Sequence, residues 1–571
     1  MGREAQVRRY TAPVPSLTPT AARKTRAAVP WLLATALLTA LLVVVPLGSV
    51  GLNVLTGGTA GTWAHMASTV LPDYVAATLW LCLGVGGGVA ALGVGSAWLV
   101  SRFEFPWRRH FEWALVLPLA MPAYVAAYTY TDFLQYVGPV QSSLRQAFGW
   151  SRADYWFPDV RSTGGAVLMF TLVLYPYVYM LTRTALLERA GGLVEVARSM
   201  GLTQWQAFVR VSLPLARPAI AAGVALALME TLADYGTVSY FAVQTFTTGI
   251  YRAWFSLGDR TAAAQLAMAL LAFVIAVLAL ERLSRGRARF HETTLRRTGT
   301  ARTALAGGRA VLAVAGCMVP LLLGFLLPAG LLLRMALVEG DAQFGARFIT
   351  LARNSVLVAG TTAMLAVALA LLLGYAARVH RGPAMRWAHR VAGLGYALPG
   401  SVIAVGVLIP VTRLDHLLSG WLRESLHLEV GLLFTGTIAA LVYACLVRYL
   451  TAALQAVDAG LARITPQMDQ AARSLGHTAA QTLARVHLPL LRGSLLTAGL
   501  LVFIDVMKEL PATLVMRPFN FDTLATQAYT LASDERLAEA STAALAIVVV
   551  GLLPMLVLCR QIARGQSVSV S

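Results

Sequence analysis

Charge is scarce in this sequence. Asp, Glu, Lys and Arg make up only 13% of the 571 residues, against 57% hydrophobic, and the mean hydropathy is +0.67. A soluble chain of this length needs far more charge to cover its surface, so a soluble enzyme or binding domain is excluded. Lysine is scarcer still, with only Lys24 and Lys508. A phosphate-cradling P-loop needs its lysine within G-x4-G-K-[ST]. Lys24 lies instead in TAARKTR, and Lys508 lies inside an apolar run. Cysteine is limited to Cys82, Cys317, Cys445 and Cys559, all in apolar runs and with no CxxC pair. That argues against structural zinc and a disulfide framework and reads as small buried hydrophobes. No cluster of His, Cys or Ser/His is present either, which counts against a membrane-embedded enzyme.

What the chain has in abundance is apolar runs long enough to cross a bilayer, about 20 residues each. Twelve are expected: 29–52, 74–100, 112–134, 164–186, 219–243 and 262–282, then 310–335, 354–377, 391–412, 430–450, 494–516 and 539–559. A polar, basic N-tail (1–28) precedes them and reads as disordered. A basic linker (282–309) with eight arginines separates a first repeat (29–281) from a second (310–559), and a C-tail (560–571) follows. The expected fold is an all-α integral membrane protein of two six-helix repeats.

The net charge of +19 would suit a nucleic-acid partner if it were clustered on a soluble face. It is instead spread as arginine over short loops. With both termini cytoplasmic, the inner loops and their flanks hold roughly 33 of the 46 Lys and Arg, as the positive-inside rule requires. Six spans per half give the halves the same orientation, so the repeat is parallel.

The repeat is visible residue by residue. Glu195–Pro218 reads EVARSMGLTQWQAFVRVSLPLARP, and Gln470–Gly493 reads QAARSLGHTAAQTLARVHLPLLRG. They align without a gap at an offset of 275, with 12 identities in 24 positions. Each lies between the fourth and fifth spans of its half. A helix, a break at Gly201 or Gly476, and a second short helix ending near Leu213-Pro214 or Leu488-Pro489 predict a helix-turn-helix on the membrane surface. Small residues on its first helix (Ala197, Ser199; Ala471, Ala472, Ser474) would admit a partner closely. A plain interfacial anchor is the alternative.

These loops resemble the E-A-A-x3-G-x9-I-x-L-P signature of permeases of binding-protein-dependent ABC importers. The first copy matches at Glu195, Ala197, Gly201, Val211, Leu213 and Pro214. The second matches at Gln470, Ala471, Ala472, Gly476, Val486, Leu488 and Pro489. Val196 stands where the family has alanine, and Gln470 where it has glutamate. The stretches 121–141, 229–254 and 503–540 resemble the fused permeases of ferric-iron importers in particular. Relatives on the same scaffold carry thiamine, polyamines, sulfate or molybdate. The resemblance implies a type I ABC importer permease fold with cores at about 74–281 and 352–559, in a bacterial inner membrane. It also implies that the loops, with Ser199 and Ser474, are coupling helices for two copies of a separate ABC ATPase. That subunit uses the ATP; this chain binds no cofactor. An extracytoplasmic solute-binding protein would deliver the substrate. An ion-coupled secondary transporter is the competing class, but it needs no duplicated cytoplasmic loop.

Four acids repeat at the same offset: Glu230 and Asp234 in the fifth span, Asp505 and Glu509 in the eleventh. The i, i+4 spacing places each pair on one helix face, and Lys508 can pair with Asp505. Intramembrane acids face the bundle interior or a wet cavity, so they read either as a pathway lining or as a packing network. Tyr124, Tyr128 and Tyr130, with Asp132, offer oxygen donors to a hard cation, although an interfacial aromatic belt is the more common use of such residues. No metal site is assigned. The glycine run 84–88 reads as a close helix contact.

Overall fold

The computed structural model describes residues 30–56, 60–188, 191–285, 302–339, 345–380, 382–429 and 431–567. The expected N-tail and most of the basic linker lie outside the described residues. Helices dominate, and the only strands described are Phe103–Glu104 and Thr303–Ala304, which pair in parallel. The principal helices of the first half are α1 (Pro30–Thr56), α2 (Leu71–Arg102), α3 (Ala123–Leu134), α4 (Thr163–Glu188), α5 (Leu213–Ala233) and α6 (Arg260–Arg285). Those of the second are α7 (Gly308–Val338), α8 (Ala346–Val379), α9 (Gly400–Leu426), α10 (Ile438–Ala462), α11 (Leu488–Met507) and α12 (Leu537–Ser567). The starts of α2, α4 and α5 recur 275 residues later as the starts of α8, α10 and α11, so the duplication governs helix placement as well as loop sequence.

Ten helices among the described residues are long and apolar enough to cross a membrane. The two other expected spans take different forms. The third is a pair, Arg108–Ala120 and Ala123–Phe148, bent by 89°, because Pro118 and Pro122 cannot donate to a continuous ladder. The twelfth has a described apolar stretch of Leu537–Leu553. Several expected ranges shift as well, the ninth running over Gly400–Leu426 rather than 391–412. The fifth span ends at Ala233 rather than 243, and the eleventh at Met507 rather than 516. The tenth begins at Ile438, since 431–437 forms a loop.

Beyond α5 and α11 the chain does not leave the protein. It folds into short helices, Gly236–Tyr240 and Phe246–Tyr251 in the first half, Pro511–Met516 and Leu524–Ser533 in the second. These are buried, with Thr237, Val238 and Thr526 wholly enclosed. Within each half, α2 packs along α4 and α8 along α10. The glycine run expected to allow close packing does so at Gly84, where an added Cβ would stand 2.8 Å from Val167 of α4.

The halves interlock. α1 packs against α9 and the helix Pro383–Ala392, α6 also meets α9, and α12 packs on the turn Leu117–Ala120 of the first half. Two tyrosines show how this is fixed. Pro46 inside α1 has no N–H, so the Leu42 carbonyl four residues earlier lacks its helical donor. The Tyr443 hydroxyl from α10 donates to that carbonyl at 2.7 Å. In α7 the π-helical turn Leu322–Leu326 shifts the ladder to i+5, which would make residue 328 the donor to Leu323. That residue is Pro328, and the Tyr130 hydroxyl from α3 donates to the Leu323 carbonyl instead. Each half thus supplies a phenol to a proline-orphaned carbonyl in the other. The aromatic-belt reading of Tyr124, Tyr128 and Tyr130 is therefore corrected: all three are at most 4% exposed, and belt residues face lipid headgroups.

Candidate functional site

The duplicated acids meet where the halves touch. A cavity of about 90 Å³ is lined by Glu230, Asp234 and Tyr124 from the first half and by Arg448, Lys508 and Glu509 from the second. That volume admits a few waters at roughly 30 Å³ each. Four carboxylates, counting Asp505 beside Lys508, stand against two cations, so the cluster is formally negative.

The expected i, i+4 stacking on one helix face is corrected. α5 ends at Ala233, and Asp234 follows in extended backbone. α11 ends at Met507, and Glu509 lies beyond it. Each of these acids instead caps the next short helix. Asp234 Oδ1 accepts the Thr237 N–H at 2.8 Å, and Glu509 Oε1 accepts the Ala512 N–H at 3.0 Å. Thr237 and Ala512 are themselves 275 residues apart. The acids thus end one helix and start another, satisfying orphan N–H groups as caps do.

Glu230 joins the halves. Its Oε1 accepts from the Tyr396 hydroxyl at 2.7 Å, and its Oε2 lies 3.9 Å from Arg448 Nη2. Glu509 is bound within its own half, by Arg448 Nη1 at 2.7 Å and by the Tyr449 hydroxyl. Lys508 Nζ pairs with Asp505 Oδ1 at 2.9 Å, as the spacing suggests. Sequence reasoning missed Arg448, Tyr396 and Tyr449. Arg448 carried a signal, a charge inside an apolar run, but the expected span ended two residues past it and made it look like a loop residue. The structure puts it in the middle of α10, 6% exposed.

Beside the cavity the tyrosines continue. Tyr128 lies 5.7 Å from Tyr124 and 4.6 Å from Tyr240, and Tyr235 stacks on Tyr251 at 3.8 Å. Among the described residues no three His, Cys, Asp or Glu side chains are placed to hold a metal. Cys82, Cys317 and Cys445 are free thiols.

The repeated loops form a second candidate site. In the first, the helix Gly191–Ser199 ends at Gly201 with φ +89°; in the second, Pro466–Ser474 ends at Gly476 with φ +79°. The Leu202 N–H bonds back to Ala197 O at 3.2 Å, and the His477 N–H to Ala472 O at 3.0 Å, the Schellman pattern that favours glycine. Thr203 with Gln206, and Thr478 with Gln481, then form capping boxes. The second short helix does not end near proline, as expected. It passes through a π turn, Phe208–Ser212 or Leu483–His487, straight into α5 or α11. Pro214 and Pro489 stand at the same place after the π turn as Pro328 does in α7, so neither can supply the i+5 N–H to Val209 or Ala484.

The partner-facing assignment of the small residues is also corrected in part. Ala197 and Ala472 are buried against the body. Glu195, Ser199, Gln470, Ala471 and Ser474 are exposed, and Met200 and Leu475 stand out at 79% and 78% exposed.

The two loops are anchored differently. Trp98 packs against Trp205 at 5.7 Å and Phe208 at 4.7 Å under the first; Leu373, Ala480 and Leu483 occupy the matching positions in the second half. Under the second loop Asp469 binds Arg378 Nε and His487 Nε2, each at 2.7 Å. Burial pushes the Asp469 carboxyl up, but its bonds to Arg378 and His487 outweigh that and hold it below the usual range. Val194, Phe103 and Ser212 occupy the equivalent places. Glu195 lies within electrostatic range of the buried Arg102. The positions matching that pair are Gln470 and Ala377, so the loss of the acid accompanies the loss of its basic neighbour.

The chain is thus a duplicated, interlocked helical body with a small charged seam and two like-built loops. Residues 90–290 match the family described as binding-protein-dependent transport system inner membrane component. An Fe(3+)-transport system permease protein of Haemophilus influenzae is 26% identical over 498 residues, covering 86% of this chain and 90% of that one. The molybdenum transport system permease of Escherichia coli is 29% identical over 207 residues, 34% of this chain and 87% of its own length. The sulfate transport system permease of the same species is 29% identical over 150 residues, 26% of this chain, and is itself matched over about half its length, 51%. The chain is similar to permeases of binding-protein-dependent transport systems, and its long apolar helices make it a multi-pass membrane protein.

Proposed function

We propose that this chain carries ferric iron across the inner membrane, with both termini in the cytoplasm. The observation that carries the substrate is the formal charge of the seam. Four carboxylates surround two cations, and each of those cations is already paired with an acid. Such a site attracts a hard cation, which favours oxygen donors, and opposes sulfate or molybdate. The ferric-iron relative also aligns along most of both chains, whereas the molybdenum and sulfate relatives cover 34% and 26% of this chain.

In this reading two copies of the ATPase dock on the cytoplasmic loops, through Glu195, Ser199 and Gly201 with Met200, and through Gln470, Ser474 and Gly476 with Leu475. Leu213-Pro214 and Leu488-Pro489 transmit their movement, because each loop runs without a break into α5 or α11. ATP is bound and hydrolysed by the partner alone. Closure of the ATPase pair would swing the halves and open the seam at Glu230 alternately to each side. Cells expressing the complete system should take up radiolabelled iron. Vigorous sulfate, molybdate or thiamine uptake without iron uptake would end the substrate assignment.

A further inference from the structure

The four acids of the seam are repeated between the halves, but the two cations are not. The positions 275 residues before Arg448 and Lys508 are Val173 and Ala233, and both line the same cavity. The second half therefore carries its own counterions. Asp505 is paired with Lys508, while Glu509 is held by Arg448, Tyr449 and the Ala512 N–H. In the first half Glu230 has a phenol at 2.7 Å and a guanidinium no nearer than 3.9 Å. Among the described residues Asp234 makes no ion pair. Its Oδ1 is taken by the Thr237 N–H.

A second observation points to a ligand at Asp234. Tyr124 lines the cavity and is 4% exposed, yet its hydroxyl has no hydrogen-bond partner among the described residues. Tyr128 beside it is 3% exposed and also unpartnered. The Tyr124 phenol lies within electrostatic range of Asp234 and Glu509. A buried hydroxyl without a partner is costly, and two adjacent ones beside a carboxylate that makes no ion pair are ligand-like donors.

Resting on the ferric-iron reading, we propose that the first half alone holds a transient site for a hard trivalent cation, made by Asp234, Glu230 and the Tyr124 phenol. The second half's acids are occupied by fixed internal cations and act as the opposing wall. Ligation replaces the phenol O–H bond by an O–metal bond, with the proton passing to cavity water and no electron transferred. A purely carboxylate site is not available here, since no three acids converge; the phenol completes the donor set. The acids are symmetric between the halves and the cations are not, which makes the path one-sided.

The test uses the complete permease–ATPase complex in lipid nanodiscs, with terbium(III) as the probe because its emission rises when a tyrosine lies beside it. Wild type should give saturable tyrosine-sensitised emission. Asp234→Asn, which retains the oxygen that caps Thr237, should weaken binding by roughly 10–100-fold. Tyr124→Phe should abolish most of the emission at unchanged thermal stability. The double variant Asp505→Asn with Lys508→Met should shift terbium affinity by less than about threefold. Wild-type affinity in Asp234→Asn, or an equal loss in the second-half double variant, overturns the one-sided site whatever the transport result. Iron uptake is measured in parallel. Its absence in wild type, with terbium still bound through Asp234, overturns the ferric-iron reading and leaves a hard-cation site standing.

Discussion

Glu230 and Tyr396 lie 166 residues apart in the chain, in opposite halves, and are joined at 2.7 Å by the Tyr396 hydroxyl. Any motion that separates the halves at the seam must break this bond, whereas the Arg448–Glu509 pair stays within the second half. Glu230→Gln keeps an acceptor for Tyr396 and removes the charge felt by Arg448 and by a passing cation. Uptake per milligram of folded complex should fall by about tenfold, while the melting temperature shifts by only a few degrees. Full transport with a lowered melting temperature would assign Glu230 to packing alone.

Arg448 is the residue on which the seam depends for stability. It is 6% exposed, and Glu509 is 3% exposed. Arg448→Met strands Glu509, and breaking a buried pair from one side costs about 3–5 kcal/mol. Adding Glu509→Gln should recover most of that loss, because the remaining glutamine can still bond Tyr449 and the Ala512 N–H. Asp505 and Lys508 have side chains 19% and 30% exposed, so Asp505→Asn should cost less than Arg448→Met, and Lys508→Met should restore it. Melting curves of the four variants check the order. A larger loss in Asp505→Asn than in Arg448→Met contradicts it.

The contrast between Asp234 and Arg448 shows what the sequence disclosed. The duplication at offset 275, the loops and the positions of all four acids were legible, because repeats and intramembrane charges are local signals. That Asp234 and Glu509 lie past their helix ends was not, since an apolar run continues through both breaks and only Gly236 and Pro511 hint at them. Tyr396 and Tyr443 were also hidden: each acts on a partner more than a hundred residues away, and hydropathy does not encode which half a phenol faces. The loop alanines misled for a simpler reason. Ala197 suits a buried contact with its own body as well as it suits a docking partner.

The loops can be separated from the body by two kinds of change. Gly201 has φ +89° with open space around it, so Gly201→Ala strains the backbone by about 1 kcal/mol or more without filling anything. Met200 is 79% exposed and makes the cleaner probe. Met200→Glu should leave the melting temperature unchanged and reduce the ATPase that co-purifies; Leu475→Glu should do the same on the other side. Gly201→Trp should lower both quantities, combining strain with obstruction. Normal amounts of ATPase with active transport in both Met200→Glu and Gly201→Trp would refute docking there.

Two ion-pair clusters at the ends of spans in the second half respond oppositely to pH. His389 of the helix Pro383–Ala392 lies 3.0 Å from Asp458 of α10, and that hydrogen bond raises the imidazole above its usual value, outweighing burial. A raised histidine contributes fully below its unfolded value of about 6.5 and loses its contribution as pH rises through the folded value. Asp469 is lowered instead, so its hold on Arg378 and His487 is present above the unfolded value of about 3.9 and lost as pH falls through the folded one. Asp458→Asn should therefore lower the melting temperature more at about pH 6 than at about pH 9, the gap to wild type closing as pH rises through the raised folded value. Asp469→Asn should be costly at both of those values and should match wild type only in strong acid. Melting curves for the three proteins across that range test both signs at once. An Asp458→Asn gap that widens with alkalinity would mean that His389 is held neutral, with its partner serving only as a hydrogen-bond acceptor.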